Sequence, residues 1–367
     1  MNLHTLGWGQ FFEGQFHAWR EQGCIPARVS EEHRTRYMVI GEFGTLPAEV
    51  SGRFRHQAET PDRFPAVGDW AAVTPTAEKD RCIIHGLLER KSGFSRKAAS
   101  SGGMPDSGGR TDEQILAANI DTVFLVSGLD GDFNAKRVER YLVAAWDSGA
   151  TPVILLNKAD ICDNIDERVD EISSVAFGVP VLVISAQENR GMEALDPYLD
   201  AAQTTVFLGS SGVGKSTIIN RLLGEERIKT QAVREYDSRG RHTTTFRQMM
   251  FLPGGGIVID TPGMRELQLW DDGGLSKAFA DVEELTGQCR FNDCRHESEP
   301  GCAVLEAIRD GRLSEDRYRR YLKLQKENRF LAMRKDQAAQ RRAVREWDRR
   351  IRQYNQAKKD LKKRGLL

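Results

Sequence analysis

TVFLGSSGVGKSTIINRLL, Thr205 to Leu223, decides how this chain folds. A short apolar run, Thr205 to Leu208, leads into GSSGVGKST, and the helix-like IINRLL follows at Ile218 to Leu223. The pattern GxxxxGK[ST] between a strand and a helix is a phosphate-binding loop. Its glycines, Gly209, Gly212 and Gly214, let backbone N–H groups approach phosphate oxygens closely, partly with positive φ. Lys215 would reach the β- and γ-phosphates, and the Ser216 hydroxyl would complete a magnesium shell. A helix N-terminus behind the loop favours an anion there. The expected phosphate site is therefore the whole loop: Gly209, Ser210, Ser211, Gly212, Val213, Gly214, Lys215, Ser216 and Thr217.

Upstream, PVILL (Pro152 to Leu156) reads as a buried strand and runs into NKAD, Asn157-Lys158-Ala159-Asp160. Ligands in open α/β sheets bind beyond strand carboxyl ends, which is where this tetrapeptide falls. Asp160 can accept from guanine N1–H and the exocyclic amino group, which adenine does not offer. A site built on such bonds rejects the analogue lacking them by about 10⁴ to 10⁵-fold. Asn157 is expected to tie the loop together and Lys158 to lay its methylene stem over the base. VLVISAQ, Val181 to Gln187, supplies the next strand and a Ser185-Ala186 turn under the base. Alone, NKAD reads equally well as a helix cap and turn.

Downstream, the strand Ile257 to Ile259 ends in DTPG, Asp260 to Gly263. Asp260 sits where a Walker-B carboxylate holds magnesium, and the Gly263 amide could bond the γ-phosphate. Between loop and strand lies GRHTTT, Gly240 to Thr245, a polar segment able to complete the magnesium shell. Thr244 is the preferred ligand, with Thr243 and Thr245 as competitors; a run of threonines is otherwise a strand start. Together these are the guanine, phosphate and magnesium motifs of a GTPase. The phosphate loop ordinarily leads and NKxD trails, so the module here reads as circularly permuted.

With that order, GRHTTT, the Met264-Arg265-Glu266 that follows DTPG, and a cysteine cluster, the chain resembles the bacterial ribosome small-subunit-dependent GTPases of the RsgA/YjeQ type. The match spans roughly Arg28 to Leu324 and includes RKSGFSRKAAS (Arg90 to Ser100) and EQILAANID (Glu113 to Asp121). The resemblance implies an N-terminal all-β OB-fold barrel, a permuted α/β P-loop GTPase and a C-terminal helical zinc domain. It also implies action late in 30S assembly, with the small subunit and its rRNA as partners and GTP/GDP as ligands.

Ras-type enzymes orient the attacking water with a glutamine after DxxG. Here that position is Met264, and Gly212 stands where potassium-activated relatives carry asparagine. His242, beside the switch threonines, is the nearest polar candidate, and the resemblance supports it as a water-positioning catalytic residue. Its alternative is a loop histidine facing RNA or solvent.

At 367 residues the chain is long enough for two or three domains. Its first hundred residues hold short alternating stretches, RYMVIGEF, AEVSGRF and DWAAVTP, which suggest a small barrel; OB-fold rather than SH3-like barrel comes from the resemblance. Trp8, Phe11, Phe12, Phe16 and Trp19 fall near one helical face, which points to a helix packed on its own domain. Arg28, Arg53, Arg55 and Lys91 could face RNA, though scattered charges are usually solvated. SSGGMPDSGG, Ser100 to Gly109, reads as a linker. From Asp121 apolar strands alternate with helical stretches at Ala135 to Ser148 and Ile165 to Phe177, the pattern of a parallel sheet.

CRFNDCRHESEPGC then offers Cys289, Cys294, His296 and Cys302, a complete tetrahedral set for one structural Zn²⁺. The other cysteines, Cys24, Cys82 and Cys162, are scattered. Net charge is zero, yet residues 312–367 carry 20 Lys+Arg against 7 Asp+Glu, leaving that segment at +13. Beyond Ser314 the pattern is continuously helical, a long basic helix. Val344, Trp347, Ile351, Tyr354 and Leu361 keep a 3-4 spacing that favours packing, while the charge favours RNA.

The expected divisions are 1–99 (helix and OB-fold), 100–111 (linker), 112–268 (GTPase), 269–313 (zinc domain) and 314–367 (basic extension). No apolar run approaches the ~20 residues of a membrane span and no signal-peptide pattern opens the chain, so a cytoplasmic monomer is expected. The leading reading is a GTPase that binds the 30S subunit and couples hydrolysis to late maturation and its own release. Two alternatives stand beside it: a zinc-containing RNA-binding protein with GTP as a structural ligand, and a permuted GTPase acting on the large subunit or tRNA.

Overall fold

The computed structural model describes residues 2–33, 36–58, 60–97, 113–226, 228, 247–260, 273–330 and 333. His242, Thr243, Thr244, Thr245, Gly263, Met264 and the expected linker lie outside them, as does most of the basic tail.

Helix α1 (Gln10–Glu21) carries the aromatic face expected of it. Phe12 and Phe16 are buried with Trp8 against Trp70, whose ring lies 4.7 Å from that of Trp8, and Phe11 remains exposed. The five strands β1 (Ile25–Glu32), β2 (Tyr37–Gly41), β3 (Gly44–Val50), β4 (Trp70–Pro75) and β5 (Cys82–Leu87) follow. They close in the order β1-β2-β3-β5-β4-β1, with β3–β5 parallel and the other pairs antiparallel. That is a five-stranded barrel of OB type. Small and branched side chains, Ala27, Val29, Val39, Ala48, Ala71, Val73 and Ile84, fill it. AEVSGRF is not one strand: β3 ends at Val50 and Ser51 caps α2 (Gly52–Gln57), accepting from the Phe54 amide at 3.1 Å.

Arg28 does not face RNA. It is 1% exposed, and its guanidinium donates to the carbonyls of Leu6 (2.6 Å), Gly68 (3.0 Å) and Asn119 (3.0 Å). Burial pushes its pKa down to about 10 even though Asp121 and Asp69 pull the other way. One side chain thus ties the N-terminus, the barrel and the entry to the next domain. Strands β6 (Gly93–Lys97) and β7 (Glu113–Ala118) form an antiparallel ribbon that brackets the linker.

The second domain runs β8 (Thr122–Gly128), α3 (Ala135–Asp147), β9 (Thr151–Asn157), α4 (Ile165–Ser173), β10 (Val181–Val183), β11 (Thr204–Leu208), α5 (Lys215–Leu223), β12 (Arg247–Phe251) and β13 (Ile257–Asp260). Helix α4 stops four residues before Phe177, since Ser174 is already its cap. Strand order is β10-β9-β8-β11-β13-β12, parallel except for β12, which pairs antiparallel with β13. β8 is buried along its whole length, as a parallel central strand must be when helices cover both faces. The outer edge of β12 pairs with β1, so barrel and α/β domain share one 11-stranded sheet.

Helices α6 (Gly274–Ala278), α7 (Ala280–Gly287), α8 (Ala303–Arg309) and α9 (residues 315–330) complete the described chain. α9 docks through charge as well as apolar surface. Arg317, its side chain 6% exposed, donates to Glu139 on α3 at 2.8 Å and to both carboxylate oxygens of Asp281 at 2.6 Å. Arg320 grips the other oxygen of Glu139 at 2.6 Å, and Glu327 pairs with Arg140. Among the described residues, no helix is long and apolar enough to cross a membrane.

Candidate functional site

The carboxyl ends of the parallel strands carry the expected motifs into one crevice. NKAD begins at the last residue of β9, Ser185 and Ala186 follow β10, the phosphate loop follows β11, and Asp260 closes β13. The loop depends on its glycines. Gly212 and Gly214 have φ +81° and +98°, and a Cβ on Gly209 would meet the Val126 carbonyl at 2.3 Å. Lys215, the first residue of α5, folds back so that its ammonium donates to the carbonyls of Gly209 (2.8 Å) and Ser210 (2.6 Å).

Asn157 joins the two halves. Its Nδ2 donates to the Val213 carbonyl at 2.8 Å and its Oδ1 accepts from the Ala186 amide at 3.0 Å. The side chain is 3% exposed, so the phosphate loop, the NKAD turn and the Ser185-Ala186 turn are pinned through one buried amide. Ser185 Oγ donates to Asp160 Oδ1 at 2.5 Å and accepts from the Glu188 amide at 3.1 Å, which orients the Asp160 carboxylate. Lys158 sits at φ +70°, a left-handed position that turns the chain between strand and the Ala159–Ile161 turn.

Three further residues belong to the site and were not singled out from sequence. Asp130, just past β8, forms an ion pair with Lys158. Burial alone would raise its pKa, but the Lys158 bond and the Asp132 amide outweigh that and hold it below the usual carboxylate range. Arg221 donates from α5 to the carbonyls of Ala186 and Gln187, each at 3.1 Å, backing the Ser185-Ala186 turn. Arg137 reaches Ser210 from α3. The legible signal was an acidic turn, Asp130-Gly131-Asp132, at a strand's carboxyl end. Burial raises the pKa of Asp260, against the pull of Lys215.

In the C-terminal region Cys289, Cys294, His296 and Cys302 present ligand atoms within 4.8 Å of one another. Cys289 Sγ lies 3.9 Å from Cys302 Sγ and 3.5 Å from His296 Nδ1, and His296 Nδ1 lies 3.4 Å from Cys302 Sγ. Metal–ligand lengths of ~2.3 Å to sulfur and ~2.0 Å to nitrogen give tetrahedral edges of about 3.8 and 3.5 Å, which the three distances among Cys289, His296 and Cys302 match. Cys302 also caps α8, accepting from the Leu305 amide at 3.5 Å. This cluster could hold a metal ion.

A family model described as "RsgA GTPase" matches residues 87–270. Small ribosomal subunit biogenesis GTPase RsgA 2 of Lactiplantibacillus plantarum is 44% identical over 327 residues, 89% of this chain and 90% of that protein. The chain belongs to the RsgA GTPase family. Small ribosomal subunit biogenesis GTPase RsgA 1 of Oceanobacillus iheyensis is 45% identical across 83% of this chain and 85% of its own. The crystal structure of YjeQ from Thermotoga maritima superposes with a TM-score of 0.61 at 28% identity, covering 83% of this chain and 98% of that one. YloQ, described as a circularly permuted GTPase, shares the fold with a TM-score of 0.58 at 23% identity. A second family model, "50S ribosome-binding GTPase", matches residues 204–360. It begins at the first residue of β11, where an unpermuted GTPase would begin, so the permutation is visible in the match itself.

Proposed function

We propose that this protein hydrolyses GTP on the small (30S) ribosomal subunit and couples turnover to late subunit maturation and its own release. The observation that carries the reading is Asn157, which fastens the phosphate loop to the Asp160 and Ser185 turn so that one guanine nucleotide could span both. The relatives named as small ribosomal subunit biogenesis GTPases support the choice of partner.

In this reading Asn157, Lys158, Ala159, Asp160, Ser185 and Ala186 hold the base, and the loop from Gly209 to Thr217 with Gly263 holds the phosphates. Ser216, Thr244 and Asp260 bind magnesium, which when present would neutralise developing charge on the phosphates. His242 positions the attacking water, in place of the glutamine that Met264 replaces. Cys289, Cys294, His296 and Cys302 hold one structural zinc, and the barrel and basic extension face rRNA. The protein works in the cytoplasm as a monomer, with the domain divisions given above.

The test is the GTPase rate alone, with purified small subunits and with purified large subunits. Stimulation of ~10³-fold or more by small subunits alone is expected, on the scale of partner-assisted GTPases. Equal rates in all arms, or stimulation by large subunits only, would overturn it. His242→Ala should remove most of the stimulation and leave GTP affinity nearly unchanged; full stimulation would exclude His242.

A further inference from the structure

The sequence motifs leave one cation at the phosphate loop unexplained. Arg137, in the first turn of α3, donates from Nη1 to the hydroxyl of Ser210, the second residue of the loop. The same guanidinium is held by Asp132 through two bonds, Nη1 to Oδ2 at 2.6 Å and Nη2 to Oδ1 at 3.1 Å. A fork gripped on two sides has a fixed plane, which a lysine could not reproduce. Asp132 is itself set by the turn after β8, where its amide donates to Asp130 Oδ1 at 3.1 Å, and Asp130 in turn holds Lys158. The far end of the chain of contacts is Lys215, whose ammonium donates to the carbonyl of Ser210 at 2.6 Å. Ser210 thus meets Arg137 through its side chain and Lys215 through its backbone.

We infer that Arg137 is a positioning residue for nucleotide phosphates, acting through Ser210 on Lys215, with Asp132 as its holder. This rests on the proposed guanine-nucleotide reading of the crevice. Because the contact precedes any difference between GTP and GDP, its loss weakens both nucleotides by the same factor. Uniform loss of binding raises KM and leaves kcat unchanged.

The experiment measures dissociation constants of fluorescent GTP and GDP for the full-length protein, Arg137→Ala, Arg137→Lys, Ser210→Ala, Asp132→Asn and the Arg137→Ala/Ser210→Ala double variant. The expected result is about tenfold weaker binding of both nucleotides for Arg137→Ala, as for a lost bond to a charged group. Arg137→Lys and Asp132→Asn fall between, and the double variant is no weaker than the worse single one. Ser210→Ala removes one hydroxyl only and keeps the test alive if an arginine variant does not fold. A parent that binds neither nucleotide overturns the underlying reading. A parent that binds, with Arg137→Ala or Ser210→Ala within about twofold of it, overturns the inference, as do losses that multiply in the double variant.

Discussion

Glu32 at the end of β1 and Arg247 at the start of β12 are partners twice over, as neighbours in the backbone register and as an ion pair with side chains 19% and 11% exposed. One residue along, Gln248 stands opposite Glu31 of the barrel on one side and Asp260 on the other. The barrel is therefore a lateral continuation of the sheet that carries the candidate magnesium carboxylate, and β12 begins directly after the segment that contains GRHTTT.

Glu32→Ala should therefore destabilise the protein by about 3 kcal/mol, the low end for breaking a buried pair since both side chains keep a little water. Urea unfolding monitored by Trp fluorescence would show a lower midpoint. Exchange of the charges, Glu32→Arg with Arg247→Glu, should recover part of it. An unchanged midpoint for Glu32→Ala would mean that the pair contributes nothing to joining the domains.

The sequence made the crevice readable because each motif there is local: GxxxxGK[ST] and NKAD carry their chemistry within a few residues, next to apolar strands. What joins the domains was not readable. Arg28 looks like a surface charge in any linear reading, yet three carbonyls from distant segments replace its water. Arg317 was counted only in the charge of a basic segment, but its partners Glu139 and Asp281 lie 178 and 36 residues away. The β1–β12 pair likewise requires two edges to meet, which alternation within either strand does not encode. AEVSGRF misled because Ser51 as a helix cap and a strand residue look alike until Phe54 offers its amide.

Arg317→Met should cost roughly 3 to 5 kcal/mol, since it strands the buried Glu139 carboxylate with Arg320 as its remaining charge partner. Adding Glu139→Gln should recover part of this by removing the orphaned charge. Denaturant midpoints of the single and double variants decide it. A double variant less stable than Arg317→Met would refute the desolvation account.

Asp160→Asn exchanges an acceptor for a donor at the position that Ser185 orients. Guanine nucleotides should lose affinity by orders of magnitude and xanthine nucleotides should gain it. Competition against a labelled guanine nucleotide measures both. Parent protein that binds ATP as tightly as GTP would remove the base-recognition role from NKAD altogether.

Metal analysis of the purified protein should find one zinc per chain, released by Cys294→Ser together with protease resistance of the α6 to α9 region. The reason is geometric: Cys289, His296 and Cys302 already sit at tetrahedral spacing with Cys294 within 4.8 Å of them, and a small helical segment held by a metal loses its fold with it. A variant that keeps both zinc and protease resistance would show that Cys294 is not a ligand.

Gly214→Ala should abolish nucleotide binding while leaving the barrel intact. At φ +98° an alanine is strained whatever the space, and its Cβ would meet Asn157 Nδ2 at 2.2 Å. That nitrogen belongs to the amide whose two ends hold Val213 and Ala186, so the clash forces the phosphate loop and the base-side turns apart. Backbone strain of roughly 1 to 3 kcal/mol alone would lower stability modestly; loss of the Asn157 bridge predicts far more in affinity than in midpoint. Calorimetric titration with GDP alongside thermal unfolding separates the two. If GDP binds Gly214→Ala within about tenfold of the parent, Asn157 is not the joint between phosphate and base, and the two halves of the crevice are held in register by the sheet alone.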